Sequence, residues 1–192
     1  MRLIRAADCR RMPWKNGGGE TAEVAISPSG APLDAFDWRV SMARVDGDGP
    51  FSTFPGVDRT LAILAGAGLM LRVADRDPVR LDDASLPYTF PADVATSADL
   101  LHGPITDLNV MTRRTRCRHR VRRRAAAGRE QLPLSAATTL VVCARGRARL
   151  TVDGAEQVLG PHDAAHIDGP SGAIHVAGDQ HADLLIVEID PL

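Results

Sequence analysis

Three short segments carry side chains whose types and spacing suit anion recognition. Met12–Glu20 reads MPWKNGGGE. Three successive glycines are conformationally costly unless the backbone needs positive φ or a close approach. One reading of the segment is a hairpin turn. The other is a loop whose N–H groups at Gly17 and Gly18, with Lys15 and Asn16 beside them, hold an anion. Phe36–Val45 reads FDWRVSMARV. Strand alternation sets Phe36, Trp38, Val40 and Met42 on one face and Asp37, Arg39, Ser41 and Ala43 on the other. The second face suits either solvent or a cavity wall, where Ser41 and Ala43 leave room and Arg39 offers a forked carboxylate contact. Thr106–Arg114 reads TDLNVMTRR. Alternation sets Asp107, Asn109, Met111 and Arg113 on one face. Polar groups at such positions are costly in a core unless paired, so they are expected to line a pocket.

Other chemistries find little support. A β-barrel metal site needs two His one residue apart, a carboxylate and a distant His. His162, His166, His175 and His181 are spaced by 4, 9 and 6, and His102 and His119 stand alone. No metal and no cofactor is therefore expected. The chain has no Gly-x-Ser-x-Gly, no Gly-Lys-Ser/Thr phosphate loop, and no Cys with a local His–Asx pattern. Arg113–Arg124 holds eight Arg in 12 residues. Arg114, Arg116, Arg118, Arg120 and Arg122 alternate with other residues, as on a strand with a solvated basic face. No interleaved aromatics are present to stack bases. In PFSTFPGVDR (Pro50–Arg59), Asp58 and Arg59 suggest a local ion pair that orders an aromatic turn.

The elements positioning these residues read as strands. Period-2 runs recur at Thr21–Ile26, Phe36–Val45, Leu61–Ala65, Leu69–Val73, Asp107–Arg113, Leu140–Ala144, Ala148–Val152 and Leu184–Ile189, separated by Gly, Pro and Asp-Gly. Many short strands with turn signals indicate an all-β sandwich or barrel. Ala125–Pro133 interrupts the pattern and is the best linker candidate. The chain also repeats itself. TLAILAGAGLMLRV (Thr60–Val73) and TLVVCARGRARLTV (Thr139–Val152) agree at five of 14 positions without a gap. Each is followed by a polar stretch and a strand opening Asp-Leu, at Asp107 and Asp183. A duplicated β-unit accounts for the matching order.

The 192 residues include 23 basic and 24 acidic side chains and three Cys, with a formal net charge of −1. Length and composition fit a globular chain of one domain or two small ones. The near-zero charge gives no reason to expect nucleic acid or an acidic membrane as partner. No apolar run approaches the roughly 20 residues that cross a bilayer. Charge within the first five residues argues against a secretory leader, and three scattered Cys point to a reducing, cytoplasmic setting. Of the basic residues, Lys15 is the single Lys among 22 Arg.

PWKNGGGETAEV (Pro13–Val24), the run from Phe36 to Leu69, and GPITDLNVMTRR (Gly103–Arg114) resemble the HutD/Ves family. The match covers residues 1–115 strongly and rests on length and strand pattern beyond them. The resemblance implies a bicupin: two RmlC-like double-stranded β-helix (jelly-roll) modules packed together, here 1–118 with the ligand pocket and 119–192. It also implies an accessory or regulatory role in histidine utilisation, binding an intermediate such as N-formylglutamate or urocanate. A different branch of the family is associated with environmental stress. The family lacks the cupin metal motif, as this chain does. Phe90-Pro91-Ala92-Asp93 departs from the family's Phe-x-Gly-Asp, which puts a turn in doubt, and the Arg-rich Arg113–Arg124 run exceeds what the family pattern requires.

The combined expectation is a cytoplasmic, metal-independent cupin that binds a small carboxylate metabolite. Lys15, Arg39 and Arg113 would neutralise carboxylates. Asn16, Ser41 and Asn109 would read amide or formyl groups, with Gly17, Gly18, Asp107 and Met111 completing the site. A metal-free enzyme of isomerase or hydrolase type, using Asp107, Glu20 or His102 as acid or base, is the second reading. An interaction protein contacting partners through Arg114–Arg124 is the third. Oligomeric state is left open, a homodimer included.

Overall fold

A computed structural model describes residues 1–170 and 172–192. The chain runs through β1 (Arg2–Ile4), one turn of 3-10 helix (Ala6–Asp8), β2 (Arg10–Pro13), β3 (Gly19–Ser27), β4 (Trp38–Val45), β5 (Gly49–Pro50) and β6 (Val57–Ala65). It continues through β7 (Leu69–Val73), β8 (Val79–Leu81), β9 (Tyr88–Pro91), β10 (Thr96–Leu100) and β11 (Ile105–Arg113). The remaining strands are β12 (Cys117–Ala125), β13 (Gly128–Leu134), β14 (Thr138–Arg145), β15 (Ala148–Val152), β16 (Ala155–Leu159), β17 (Ala164–Asp168), β18 (Gly172–Gly178) and β19 (Asp183–Pro191). No described helix is long and apolar enough to cross a membrane.

The chain is a bicupin. One module comprises Arg10–Cys117 with Leu192, and the other comprises Met1–Cys9 with Arg118–Pro191. The first nine residues fall in the second module because β1 adds antiparallel to β17, with Leu3 opposite Ala165. The first module has a six-stranded sheet in the order β2-β3-β4-β11-β6-β9 and a four-stranded sheet β5-β10-β7-β8. The second has a five-stranded sheet β1-β17-β14-β19-β12 and a four-stranded sheet β13-β18-β15-β16. The duplicated unit is thus visible in the ladders: β11-β6-β9 recurs as β19-β14-β17, and β5-β10-β7-β8 as β13-β18-β15-β16.

Ala125–Pro133 is not a linker. Only Ala126 and Ala127 separate β12 from β13, and β13 pairs with β18 throughout, Gly128 opposite Gly178 and Leu134 opposite Gly172. Pro133 interrupts the sequence pattern but is tolerated because β13 lies at a sheet edge.

Packing differs between the modules. The second is filled by Val141, Cys143, Leu150, Val152, Leu159, Ile167, Ile174, Val176, Leu184 and Ile186. In the first, Ala43, Val45, Leu61, Ile63, Leu69, Leu71 and Phe90 form an apolar base. A smaller cluster, Phe36, Val57, Ala92 and Met111, packs with Ile26 and Phe54.

Candidate functional site

The first module encloses a cavity of about 550 Å³. Its wall follows from register. On β4, β11 and β6, Arg39 lies opposite Met111, Ser41 opposite Asn109, and Ala43 opposite Asp107, while Arg59 lies on the far side of Met111. Strand alternation turns this set to one face. Arg39, Ser41, Asp107, Asn109 and Met111 all line the cavity, and all are buried. Lys15, Asn16 and Gly18 line it from the β2–β3 turn, and Asp48 and Phe51 from the segment around β5.

Two expected site residues are elsewhere. Gly17 is exposed and outside the lining. Arg113 is also outside it, because it ends β11 and turns to the 34–36 segment. Its Nε donates to the Phe36 carbonyl at 3.2 Å, its Nη2 donates to the Asp34 carbonyl at 2.8 Å, and its guanidinium lies over the Phe36 ring.

The glycine segment is a closed turn with its N–H groups already used. Gly17 N–H donates to the Trp14 carbonyl at 3.0 Å, and Gly18 N–H to Asn16 Oδ1 at 3.1 Å. Gly19 is required by contact, since a Cβ there would lie 2.1 Å from the Arg44 carbonyl oxygen. An anion cradle of backbone N–H groups at Gly17 and Gly18 is therefore absent. Trp14 Nε1 donates to Thr21 Oγ1 at 2.8 Å and ties the turn to β3.

Arg39 is committed within the pocket wall: its Nε donates to Glu23 Oε2 at 2.9 Å, with only 6% of the Arg39 side chain exposed. Arg59, the second buried arginine of the lining, has no ion pair among the described residues. It is buried, its guanidinium lies 5.3 and 5.2 Å from the Phe51 and Phe54 ring centroids, and Nη2 reaches Met111 Sδ at 3.4 Å. Its Nε has no hydrogen-bond partner. Burial pulls its pKa down to about 10, opposed by the nearby Asp107 charge, so it remains a cation at neutral pH. Strand alternation also rules out the expected Asp58–Arg59 pair, because neighbours on a strand point to opposite faces. Asp58 instead accepts from Arg114 Nε at 2.6 Å.

Asp107 is fully buried. Its Oδ1 accepts from Asn109 Nδ2 at 2.6 Å, and its Oδ2 has no partner. Burial pushes its pKa up to about 7, against the lowering effects of Arg59, the Ala43 backbone and Asn109. Glu20 and His102 take no part: Glu20 is bonded to Arg11, His102 is exposed, and neither lines the cavity.

Arg59 was the residue missed by reading Asp58–Arg59 as a local pair and starting the strand at Leu61. Its signal was its phase. Val57, Arg59, Leu61 and Ile63 alternate, and the other three are buried. The departing Phe90–Asp93 turn is held firmly. Asp93 receives two bonds from Arg114, at 2.7 and 2.8 Å, and one from Gly56 N–H at 3.2 Å. The Arg114 guanidinium holds its carboxyl well below the usual carboxylate range.

The chain matches the HutD family over residues 6–186. It is 38% identical over 170 residues to the Pseudomonas putida protein named "Uncharacterized 21.2 kDa protein in hutC 3'region", covering 88% of this chain and 87% of that one. It is 43% identical over 119 residues to protein Ves of Citrobacter koseri, covering 60% and 61%. The solved structure of HutD from Pseudomonas fluorescens SBW25, in a formate condition, superposes with a TM-score of 0.84 at 33% identity, covering 100% and 98%. A cupin 2 conserved barrel domain protein from Leptotrichia buccalis shares the fold at 11% identity and a TM-score of 0.61, covering 97% and 98%.

Proposed function

The chain belongs to the HutD family, and from that premise we propose that it binds a small carboxylate metabolite in the first module, in an accessory or regulatory role in histidine utilisation. The observation that carries the reading is Arg59: a buried guanidinium in a cavity of about 550 Å³, with Nε unpartnered. A carboxylate oxygen is the natural complement of such a group. Arg39, held by Glu23, supplies shape and a weaker field. Ser41 and Asn109 provide amide- or formyl-reading groups, and Lys15 and Asn16 stand at the exposed rim. Binding uses side-chain cations rather than a metal. N-formylglutamate and urocanate are the ligands this family setting suggests, and each carries a carboxylate.

Titration calorimetry of the whole chain with N-formylglutamate, glutamate and urocanate tests the reading. A charge-assisted contact contributes roughly 1.5–3 kcal/mol, so Arg59→Gln is expected to weaken binding roughly 10- to 100-fold. Absence of heat with all three ligands would overturn it.

Asp107 favours a second reading. A buried carboxyl with pKa near 7 has the protonation balance of a general acid or base. On this reading the pocket is a metal-free enzyme acting on an acidic metabolite. Turnover of one of the same ligands in metal-free buffer, lost in Asp107→Asn, would decide for it.

A further inference from the structure

Two buried polar atoms of the cavity wall lack a partner: Nε of Arg59 and Oδ2 of Asp107. Each side chain feels the other's charge, yet among the described residues no ion pair joins them. The rest of the pocket is electrically balanced. Arg39 on β4 is matched by Glu23 on β3 at 2.9 Å. Lys15 and Asp48, of opposite sign, line the cavity from the β2–β3 turn and the segment before β5. From β9, Tyr88 packs against the apolar base. From β10, Ala98 lines the wall without a titratable group.

The ionisation of Asp107 therefore sets the net charge of the site. As a carboxylate it cancels Arg59, and an incoming anion meets no net attraction and a like charge nearby. As a neutral acid it leaves Arg59 as one uncompensated cation in a low-dielectric hollow, where charges act strongly. A neutral Asp107 also has an O–H to donate through the oxygen that is otherwise unpartnered.

We propose that the pocket captures its anion together with a proton: an anionic oxygen seats on the Arg59 guanidinium while the Asp107 carboxyl holds the proton, so that pH sets the affinity. The proton comes from solvent and returns to it when the anion leaves. This rests on the carboxylate-binding reading above and adds its regulation. By linkage, each bound anion draws up to one proton as pH rises past the point where the empty pocket has lost it.

The test is calorimetry of the full chain with formate and glutarate between pH 6 and 9, in Tris and in HEPES at fixed ionic strength. The dissociation constant is expected to rise about tenfold per pH unit above about pH 7. The heat is expected to differ between buffers by the uptake of nearly one proton at pH 8.5. Asp107→Asn, which keeps a donor but cannot titrate, is expected to lose both the slope and the buffer dependence. Binding that is flat with pH in the native chain overturns the coupling alone, as does a slope retained in Asp107→Asn. No binding at any pH overturns the carboxylate reading and the coupling with it. If the variant does not fold, carboxyl carbon shifts of the native chain decide. One carboxyl titrating near pH 7 that moves upward with glutarate supports the proposal, and the lack of one overturns it.

Discussion

The two modules share one frame and fill it differently. A bulge fixes their correspondence. The β6–β11 ladder slips between Thr106 and Asp107, skipping Leu64, and the β14–β19 ladder slips between Cys143 and Arg145, skipping Ala144. Counting from the bulge, Asp107 corresponds to Leu184, Asn109 to Ile186, Arg59 to Thr139, Leu61 to Val141 and Ile63 to Cys143. Both modules therefore have the same apolar strand floor at the last two positions. Where the second places Leu184 and Ile186, the first places an acid and an amide, and the long arginine replaces a threonine. Three exchanges on a constant backbone separate a filled core from a polar hollow. A close-packed core leaves few voids larger than a water molecule, so the hollow marks the first module as the one that holds the candidate site.

The sharpest way to break this comparison is to move the acid. Leu184→Asp puts a carboxyl at the position equivalent to Asp107, amid the buried Val141, Cys143 and Ile186, with Thr139 where the first module has Arg59. A buried, unpaired carboxyl of that kind is expected to cost more than about 4 kcal/mol, read as a large fall in the urea midpoint by circular dichroism at 25 °C. If Leu184→Asp folds with near-native stability, the second module is not the solid core it is taken to be.

The next effect belongs to Asp107 itself. Its folded pKa of about 7 lies above the ordinary Asp value. Below about pH 4 it is protonated whether folded or unfolded and costs nothing. As pH rises from about 4 to about 7 the unfolded chain releases the proton and the folded chain retains it, so stability is lost; above about 7 the loss is complete. Asp107→Asn removes the titration. Urea unfolding is expected to show the variant gaining on the native chain by a few kcal/mol across that window and staying level above it. A constant difference from pH 4 to 8 would contradict the assignment.

Within the first module the comparison can be sharpened at its two buried arginines. Arg39 is tied to Glu23, and Arg59 has an unpartnered Nε. Arg39→Met strands a carboxylate that is only 20% exposed, and is expected to cost about 2 kcal/mol in urea unfolding. Arg59→Met relieves a desolvated cation and refills its space between Phe51 and Phe54, so it is expected to be near neutral in stability while losing ligand. Equal destabilisation by both would mean that Arg59 serves the fold.

Much of this was legible in the sequence. Alternation at Arg39, Ser41, Asp107 and Asn109 gave the correct face, because each lies mid-strand where period 2 is strict. The repeat was visible too, but its gapless alignment set Leu61 against Leu140, where the ladders set Leu61 against Val141. The turn after β6 is one residue longer than the turn after β14, so identities that hold over β7 and β15 are displaced by one over β6 and β14. A one-residue displacement exchanges faces. The same displacement set Asp107 against Asp183, which the bulge places opposite Arg145. Arg113 was misplaced because it is the last residue of β11, where the chain turns and alternation no longer constrains it. The closure of the glycine turn depends on bonds accepted by the Trp14 carbonyl and the Asn16 side chain, which no spacing rule encodes.

The smallest effects are expected in the arginine-rich stretch, which the boundary between modules divides. On the first module's side, Arg114 binds both Asp58 and Asp93 and holds the turn before β6. About a third of that side chain is exposed, so Arg114→Ala is expected to cost only about 1 kcal/mol after solvent screening. On the second module's side, Arg118 and Arg120 are exposed on β12 and make no hydrogen bond or ion pair among the described residues. Surface charges without partners contribute little to folding, so the double reversal Arg118→Glu, Arg120→Glu is expected to stay within about 0.5 kcal/mol of the native chain. Thermal unfolding at low and high salt measures both variants. A large loss on reversing Arg118 and Arg120 would mean that the basic face bears on stability, and the division between a structural arginine at 114 and solvated ones at 118 and 120 would have to be redrawn.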